Sequence, residues 1–348
     1  MVRKEKLITG IDIGSHAIKV CQLQKIGKTY KLLSVGSASL PAGSVEDGVL
    51  QEPLEVGRVL SSLLKNLKIK NKKIGISISG YSVIVKKINL EEMEDEALSN
   101  YIKAEAEQYV PFDLDDVYID FQKLPSKKEG SDRCDVMLVA AKKEVVNDYL
   151  DMLNELKLNT VLVDVDGFAL ENIWETVSER PENVALVDIG ASKMNINIIS
   201  EGVSVLARDV AVGSEQLTDQ LMNTLNIENE QAEKIKIGIL PVDKNDGIVE
   251  SIFNKTCTQW VLEVKKAIDL YLANNPDKPL KSIILSGGGS KVAGLKEYIY
   301  RETGLEVIAF NPFLNMVYDN KQFDENYLTT VAPEMAIATG LAIRSASF

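Results

Sequence analysis

Histidine is nearly absent from this chain of 348 residues, which has one, His16. A zinc site built on several histidines is therefore excluded, and a histidine-based catalytic triad has no independent support. Cysteine is almost as scarce. Cys21, Cys134 and Cys257 are far apart and odd in number, a pattern that spells neither a disulfide framework nor a thiolate metal site and that predicts a reducing compartment. No window reaches the roughly eighteen consecutive apolar residues of a membrane span. Residues 1–6 are charged and lead at once into a strand-like run without the apolar core of a secretory leader, and residues 336–344 lack the basic face of an interfacial anchor helix. Together these absences predict a cytoplasmic protein that meets a membrane only through a partner. Positive charge is also in deficit. A formal net charge of -12 and a pI of about 4.9 repel phosphate backbones and anionic lipid, so nucleic acid is excluded as a partner. The one dense basic cluster, Lys68, Lys70, Lys72 and Lys73, reads as a solvated loop. Any catalysis must rest on carboxylates, lysines, backbone amides and a metal ion.

What is present is an internal echo. Residues 10–20, Gly-Ile-Asp-Ile-Gly-Ser-His-Ala-Ile-Lys-Val, repeat in pattern at 186–196, Leu-Val-Asp-Ile-Gly-Ala-Ser-Lys-Met-Asn-Ile. Each copy is an apolar strand, an aspartate, a glycine that permits a tight turn, and a second strand of alternating apolar positions. The two aspartates, Asp12 and Asp188, lie about half a chain apart, and the length exceeds one ordinary hydrophobic core, so two lobes are expected. Between the echoes, apolar spacing predicts a helix over 56–67, strands over 73–87 broken at Gly80, a charged helix over 92–109 stopped by Pro111, and strands over 117–124 and 134–141 around a polar loop at 126–133. A helical stripe over 145–156 and a buried strand over 160–165 follow. Residues 79–165 thus read as a compact α+β insert in the first lobe. The second lobe is expected after Pro181, with a polar helical region over 214–237 ended by Gly238 and Pro241, a helix over 248–274, a strand over 282–285 and helices over 295–303 and 333–344.

A nucleoside triphosphate with magnesium needs close backbone approach, amide donors and carboxylates for metal-bound water. Asp12-x-Gly14-Ser15 and Asp188-x-Gly190-Ala191-Ser192 each supply a turn with free amides and one acid. One such turn alone is an ordinary hairpin; a matched pair facing across a cleft clasps phosphates from both sides. Ser286-Gly287-Gly288-Gly289-Ser290 follows a buried strand and lets a nucleoside lie against bare backbone. It is not a Walker A loop, because Gly289-x-x-x-x-Gly294 is followed by Leu295-Lys296, and no G-x-G-x-x-G opens a βαβ unit.

In order and kind these motifs resemble the phosphate-1, phosphate-2 and adenosine motifs of the actin, sugar kinase and heat-shock-70 superfamily. Val165-Asp166-Gly167-Phe168-Ala169 and residues 333–344 resemble its two connecting motifs, and Ala232-Glu233-Lys234-Ile235-Lys236 resembles an adenosine-facing helix of the FtsA and MreB branch. Residues 105–117, Glu-Ala-Glu-Gln-Tyr-Val-Pro-Phe-Asp-Leu-Asp-Asp-Val, together with 10–23, resemble signatures of the PilM family of type IV pilus assembly proteins. That resemblance implies an α/β, two-lobed actin-like (RNase H-like) fold with subdomains 1A (1–78 and 331–348), 1C (79–165), 2A (166–213 and 281–330) and 2B (214–280). It implies ATP and Mg2+ as cofactors. Asp12 and Asp188 would orient the metal through water, while Gly14, Ser15, His16, Lys19, Gly190, Ala191 and Ser192 would line the phosphates. Glu233, Lys236, Gly287, Gly288, Gly289 and Ser290 would hold the nucleoside, and Gly213 would allow close approach. Asp166 or Asp164 stands where relatives with good hydrolysis carry a longer acid or amide, so at most slow turnover is implied. The implied partner is the N-terminal cytoplasmic peptide of the inner-membrane protein PilN, bound between the first lobe's core and the insert; pilus motor ATPases and self-association are further implied contacts. An FtsA-like division protein and a small-molecule kinase of the superfamily are the alternatives.

Overall fold

A computed structural model describes residues 8–124, 132–178, 182–241 and 246–344. The first lobe begins with β1 (Thr9–Ile13), β2 (Ala17–Ile26) and β3 (Thr29–Ser39), an antiparallel meander, then a short pair, β4 (Val45–Glu46) and β5 (Val49–Leu50). Helix α1 (Pro53–Asn66) starts with its proline where an amide would be unpaired anyway, and Val56, Leu60 and Leu63 recur on its buried face. Burying each of these side chains contributes about 2 kcal/mol. Strand β6 (Lys73–Ile78) then pairs parallel with β1.

The insert follows: β7 (Val83–Glu91), α2 (Asp95–Glu105), β8 (Val117–Lys123) and β9 (Arg133–Lys142). Its sheet has the order β7-β9-β8 and its own core around Leu98, Ile102, Val136 and Leu138. Helix α3 (Lys143–Glu155) packs Val145, Tyr149 and Leu153 into the core shared with α1, and β10 (Asn159–Val165) pairs parallel with β6, so both belong to the lobe's own layer. The charged helix is shorter than 92–109, ending in a 3-10 turn over Ala106–Gln108. The polar loop expected at 126–133 lies, through residue 131, outside the described residues, as does Pro181.

After α4 (Asp166–Val177) the second lobe repeats the plan with β11 (Val184–Ile189), β12 (Met194–Ser200), β13 (Val203–Val210), α5 (Glu215–Leu225), α6 (Asn229–Lys236), α7 (Asp246–Asn274), β14 (Ser282–Ser286), α8 (Leu295–Thr303) and β15 (Glu306–Ala309). The two large sheets have the orders β3-β2-β1-β6-β10 and β13-β12-β11-β14-β15, which match strand for strand. The single helical region expected over 214–237 is two helices, because Asn226 adopts the left-handed conformation at φ 52° and ends α5.

Helices α9 (Glu325–Val331) and α10 (Ala336–Ile343) bring the chain back to the first lobe. Helix α10 packs on β1, β2 and α4. Its contact with α4 is backbone to backbone: a Cβ at Gly340 would stand 1.8 Å from the carbonyl oxygen of Ala169. Asp166 at the start of α4 and Ile337 in α10 both line the space between the lobes.

Candidate functional site: the interlobe cleft

The turns after β1 and β11 open into one cleft of about 270 Å³ between the lobes. In each hairpin the aspartate sits one residue before the strand end, in register with a residue of the returning strand: Asp12 opposite Lys19, Asp188 opposite Asn195. The turns close identically, with Gly14 N–H donating to Ala17 O at 3.1 Å and Gly190 N–H donating to Lys193 O at 2.8 Å.

Register fixes the chemistry. Lys19 Nζ lies 3.1 Å from Asp12 Oδ2. Burial pushes the Asp12 carboxyl up against the pull of Lys19, and Asp12 in turn raises Lys19 despite that lysine's own burial. Asp188 has no ion-pair partner among the described residues. Ser286 Oγ donates to its Oδ2 at 2.8 Å, yet burial prevails and pushes its pKa up to about 6.

Asp166, the first residue of α4, is the most heavily bonded acid of the cleft. Ser77 and Ser79 hydroxyls each donate to it at 2.6 Å, and Lys193 Nζ donates to Oδ2 at 2.9 Å. Burial alone would raise this carboxyl; Lys193 and the two hydroxyls outweigh it and hold it below the usual carboxylate range. Asp164 faces away, toward Arg344 at 3.3 Å. On the other wall Lys236, nearly fully buried, donates to Thr218 Oγ1 at 2.9 Å and Glu233 Oε1 at 2.6 Å, while Thr218 Oγ1 donates to Glu233 Oε1 at 2.6 Å.

The lining therefore brings together Asp12, Gly14, Ser15, His16, Lys19 and Asp166 with Asp188, Gly190, Ala191, Ser192, Glu233, Lys236 and Gly288. His16 is exposed and donates no side-chain bond among the described contacts. Four further candidates stand behind the lining. Gly213 packs against the backbone of Ala191, where a Cβ would meet the carbonyl oxygen at 2.0 Å, and Gly289 packs against the Ile189 side chain. Gly287, at φ 82°, presses on the Ile189 carbonyl, and Ser290 Oγ donates to Gly287 O at 2.6 Å. These residues shape the second-lobe turn from behind.

Sequence reasoning missed Lys193, Asn195, Thr218 and Lys291, all cleft-lining. Lys193 and Asn195 lie inside the second echo itself, and comparing the two copies position by position would have flagged both. Thr218 and Lys291, which pairs with Glu334, carry no local signal.

A second groove, of about 240 Å³, runs where the insert meets both lobes. Val83, Ile84 and Val85 of β7 form one wall, Val165 and Phe168 the floor, and residues 207–211 at the end of β13 the other wall. Both β7 and β13 are edge strands of their sheets. Asp209 spans the seam, accepting from Asn195 Nδ2 at 2.7 Å within its lobe and from the Gly80 amide of the first lobe at 2.9 Å.

Among solved structures the chain is similar to a chain of a PilM–PilN type IV pilus biogenesis complex, at 23% identity and a TM-score of 0.87, covering 99% of this chain and 100% of that one. It is also similar to the ethanolamine utilization protein EutJ from Carboxydothermus hydrogenoformans, at 14% identity and a TM-score of 0.58 over 97% of this chain and 89% of that one. MreB5 of Spiroplasma citri bound to AMPPNP matches at 12% identity and a TM-score of 0.52, over 96% and 94%. These likenesses establish the two-lobed actin-like fold. Among the described residues no helix is long and apolar enough to cross a membrane. Residues 10–346 match the family model of the type IV pilus assembly protein PilM, and over that span, nearly its whole length, the chain belongs to the PilM family.

Proposed function

We propose that the chain binds ATP with Mg2+ in the interlobe cleft and acts in type IV pilus assembly as a cytoplasmic adaptor for the N-terminal peptide of PilN, linking the membrane platform to the cytoplasmic motor. One observation carries the nucleotide half: two aspartate-glycine turns and an adenosine-type glycine loop, from three distant stretches of chain, converge on a single cleft with four lysines, Lys19, Lys193, Lys236 and Lys291. The metal fits the donor set. Asp188 is a carboxylate pushed up to about 6 by burial and left without a cation of its own, a position where a divalent ion favours the charged form. Among the described residues no cluster of three metal-ligating side chains exists, which suits an ion held by one or two carboxylates, water and phosphate oxygens. When bound, the ion would shield the charge of the β- and γ-phosphates. Asp12 and Asp188 would hold it, the amides of Ser15, His16, Ala191 and Ser192 would donate to phosphate oxygens, with Gly14 and Gly190 closing the turns behind them, and Glu233 and Lys236 would face the nucleoside. Asp166 already accepts three bonds, which fits slow hydrolysis at most.

The PilN half rests on family membership and on the likeness to the PilM–PilN complex. The groove between β7 and β13 supplies two edge strands, whose free backbone groups take up an extended peptide, over an apolar floor. This site keeps the expected wall on the insert and adds the second lobe as the other wall. We assign subdomain 1C to residues 79–142 on the same grounds. A PilN N-terminal peptide titrated into labelled protein is expected to perturb backbone amides at 80–91 and 207–211. Perturbations confined to 246–330 would place the partner elsewhere and sink the assignment.

A further inference from the structure

Lys193 is a cation in the phosphate-facing turn of the second lobe, and the residue aligned with it in the first echo is Ala17. Its backbone carbonyl closes the turn by accepting from the Gly190 amide, and Ala191 and Ser192 of that turn line the cleft. Its ammonium crosses the cleft to Asp166 Oδ2, beside the Ser79 hydroxyl of the first lobe. Three groups from two lobes thus meet on one carboxylate, and Lys193 is the only contributor from the second lobe among the described contacts.

On the nucleotide reading above, we propose that Lys193 is an exchangeable clamp: it pins the two lobes through Asp166 in the structure described, and transfers to the terminal phosphate when ATP fills the cleft. Three observations favour exchange over a static bridge. The Lys193 side chain keeps a quarter of its surface open to the cleft while Asp166 is almost wholly buried, so the lysine is the partner free to move. Asp166 retains two hydroxyl donors, Ser77 and Ser79, and so is not stranded when the lysine leaves. The lysine of the first hairpin, Lys19, already has an in-register acid 3.1 Å away, whereas Lys193 sits in its turn, outside the strand register. A charge-assisted contact to a phosphate oxygen is stronger than one to a neutral group, and it depends on the number of phosphates present. Transfer also frees an acceptor site on Asp166 Oδ2, where a water could then donate.

The test compares Lys193→Met with wild type in binding of MgATP, MgADP and adenosine by calorimetry, with thermal unfolding as the check on folding. The expected result is MgATP affinity lowered about tenfold or more, MgADP affinity lowered less, adenosine affinity unchanged, and the MgATP loss recovered by Lys193→Arg. Equal losses for all three ligands, or none for MgATP, would overturn the proposal and leave Lys193 as a structural bridge. Should Lys193→Met fail to fold, the double variant Asp166→Asn/Lys193→Met removes both charges and allows the same comparison. The failure of the nucleotide reading has its own signature, since wild-type protein would then bind none of the three ligands. If wild type binds MgATP, Asp188→Ala weakens it and Lys193→Met does not, the cleft reading stands and the clamp falls.

Discussion

The two echo turns are built on one plan and differ at the register position that faces each aspartate. In the first lobe the residue opposite Asp12 is Lys19; in the second the residue opposite Asp188 is Asn195. The first turn is internally neutralised. In the second, the amide of Asn195 is spent on Asp209, and the lysine of that turn, two positions earlier, crosses to Asp166. A topological repeat has therefore not been kept as an electrostatic one. The lobe whose acid lacks a cation has the strongest claim on an added metal ion, while in the other lobe Asp12 holds Lys19.

The sharpest way to break this comparison is to remove the acids one at a time. Asp188→Ala is expected to lower MgATP affinity by about a hundredfold, because it deletes the uncompensated carboxylate that favours the ion. Asp12→Ala is expected to cost about tenfold, since it also releases Lys19 to a phosphate oxygen. Calorimetry with and without Mg2+ checks both, and an equal loss in the two variants would show that the turns act alike despite their registers.

Much of this arrangement was legible in the sequence and some of it was not. The echo exposed both hairpins, because an aspartate followed by a glycine turn and alternating apolar positions is a local signal. The adenosine-type loop was equally local, a buried strand running into three glycines. Asp166 was found only by resemblance. Ser77 and Ser79, which hold it, are nearly ninety positions away, and nothing in the composition of β6 marks them as donors rather than strand-end polar residues. At Gly213 a Cβ would meet the Ala191 backbone, and at Gly287 and Gly289 the Ile189 backbone or side chain. A glycine in a sequence states that space is short without stating who fills it.

Acid titration sharpens the comparison at the second turn. The Asp188 pKa is raised from 3.8 to about 6, so the folded state binds its proton more tightly than the unfolded chain does. The stabilisation from this group is complete below about pH 4 and is lost as pH rises through 6. Asp188→Asn removes that loss. Without nucleotide, the variant and wild type are expected to unfold alike at pH 4, and the variant to be more stable by on the order of 2 kcal/mol at pH 7. Glu171, which burial pushes up to about 7, titrates in both proteins and cancels in the difference. Denaturant unfolding at the two pH values checks the sign, and a variant less stable than wild type at pH 7 would mean that the Ser286 bond outweighs the burial.

The smallest expected effect separates the two kinds of glycine in the loop after β14. A Cβ at Gly287 or Gly289 would meet Ile189 at 2.3 or 2.4 Å, whereas at Gly288 it would meet nothing within 4 Å, and Gly288 is exposed on the cleft wall. Its φ carries no left-handed requirement either, so alanine is tolerated by the free protein and its stability should stay within about 0.5 kcal/mol of wild type. Any further consequence must come from a ligand. If the nucleoside lies against this loop, the added methyl takes space that the ligand uses, and adenosine and MgATP should lose affinity by the same factor, roughly threefold to tenfold. The equal factor is the discriminating feature, because the methyl acts on the nucleoside and is blind to phosphate number, unlike Lys193. Unchanged affinity for both ligands would move the nucleoside off the glycine loop and toward the Glu233–Lys236 wall.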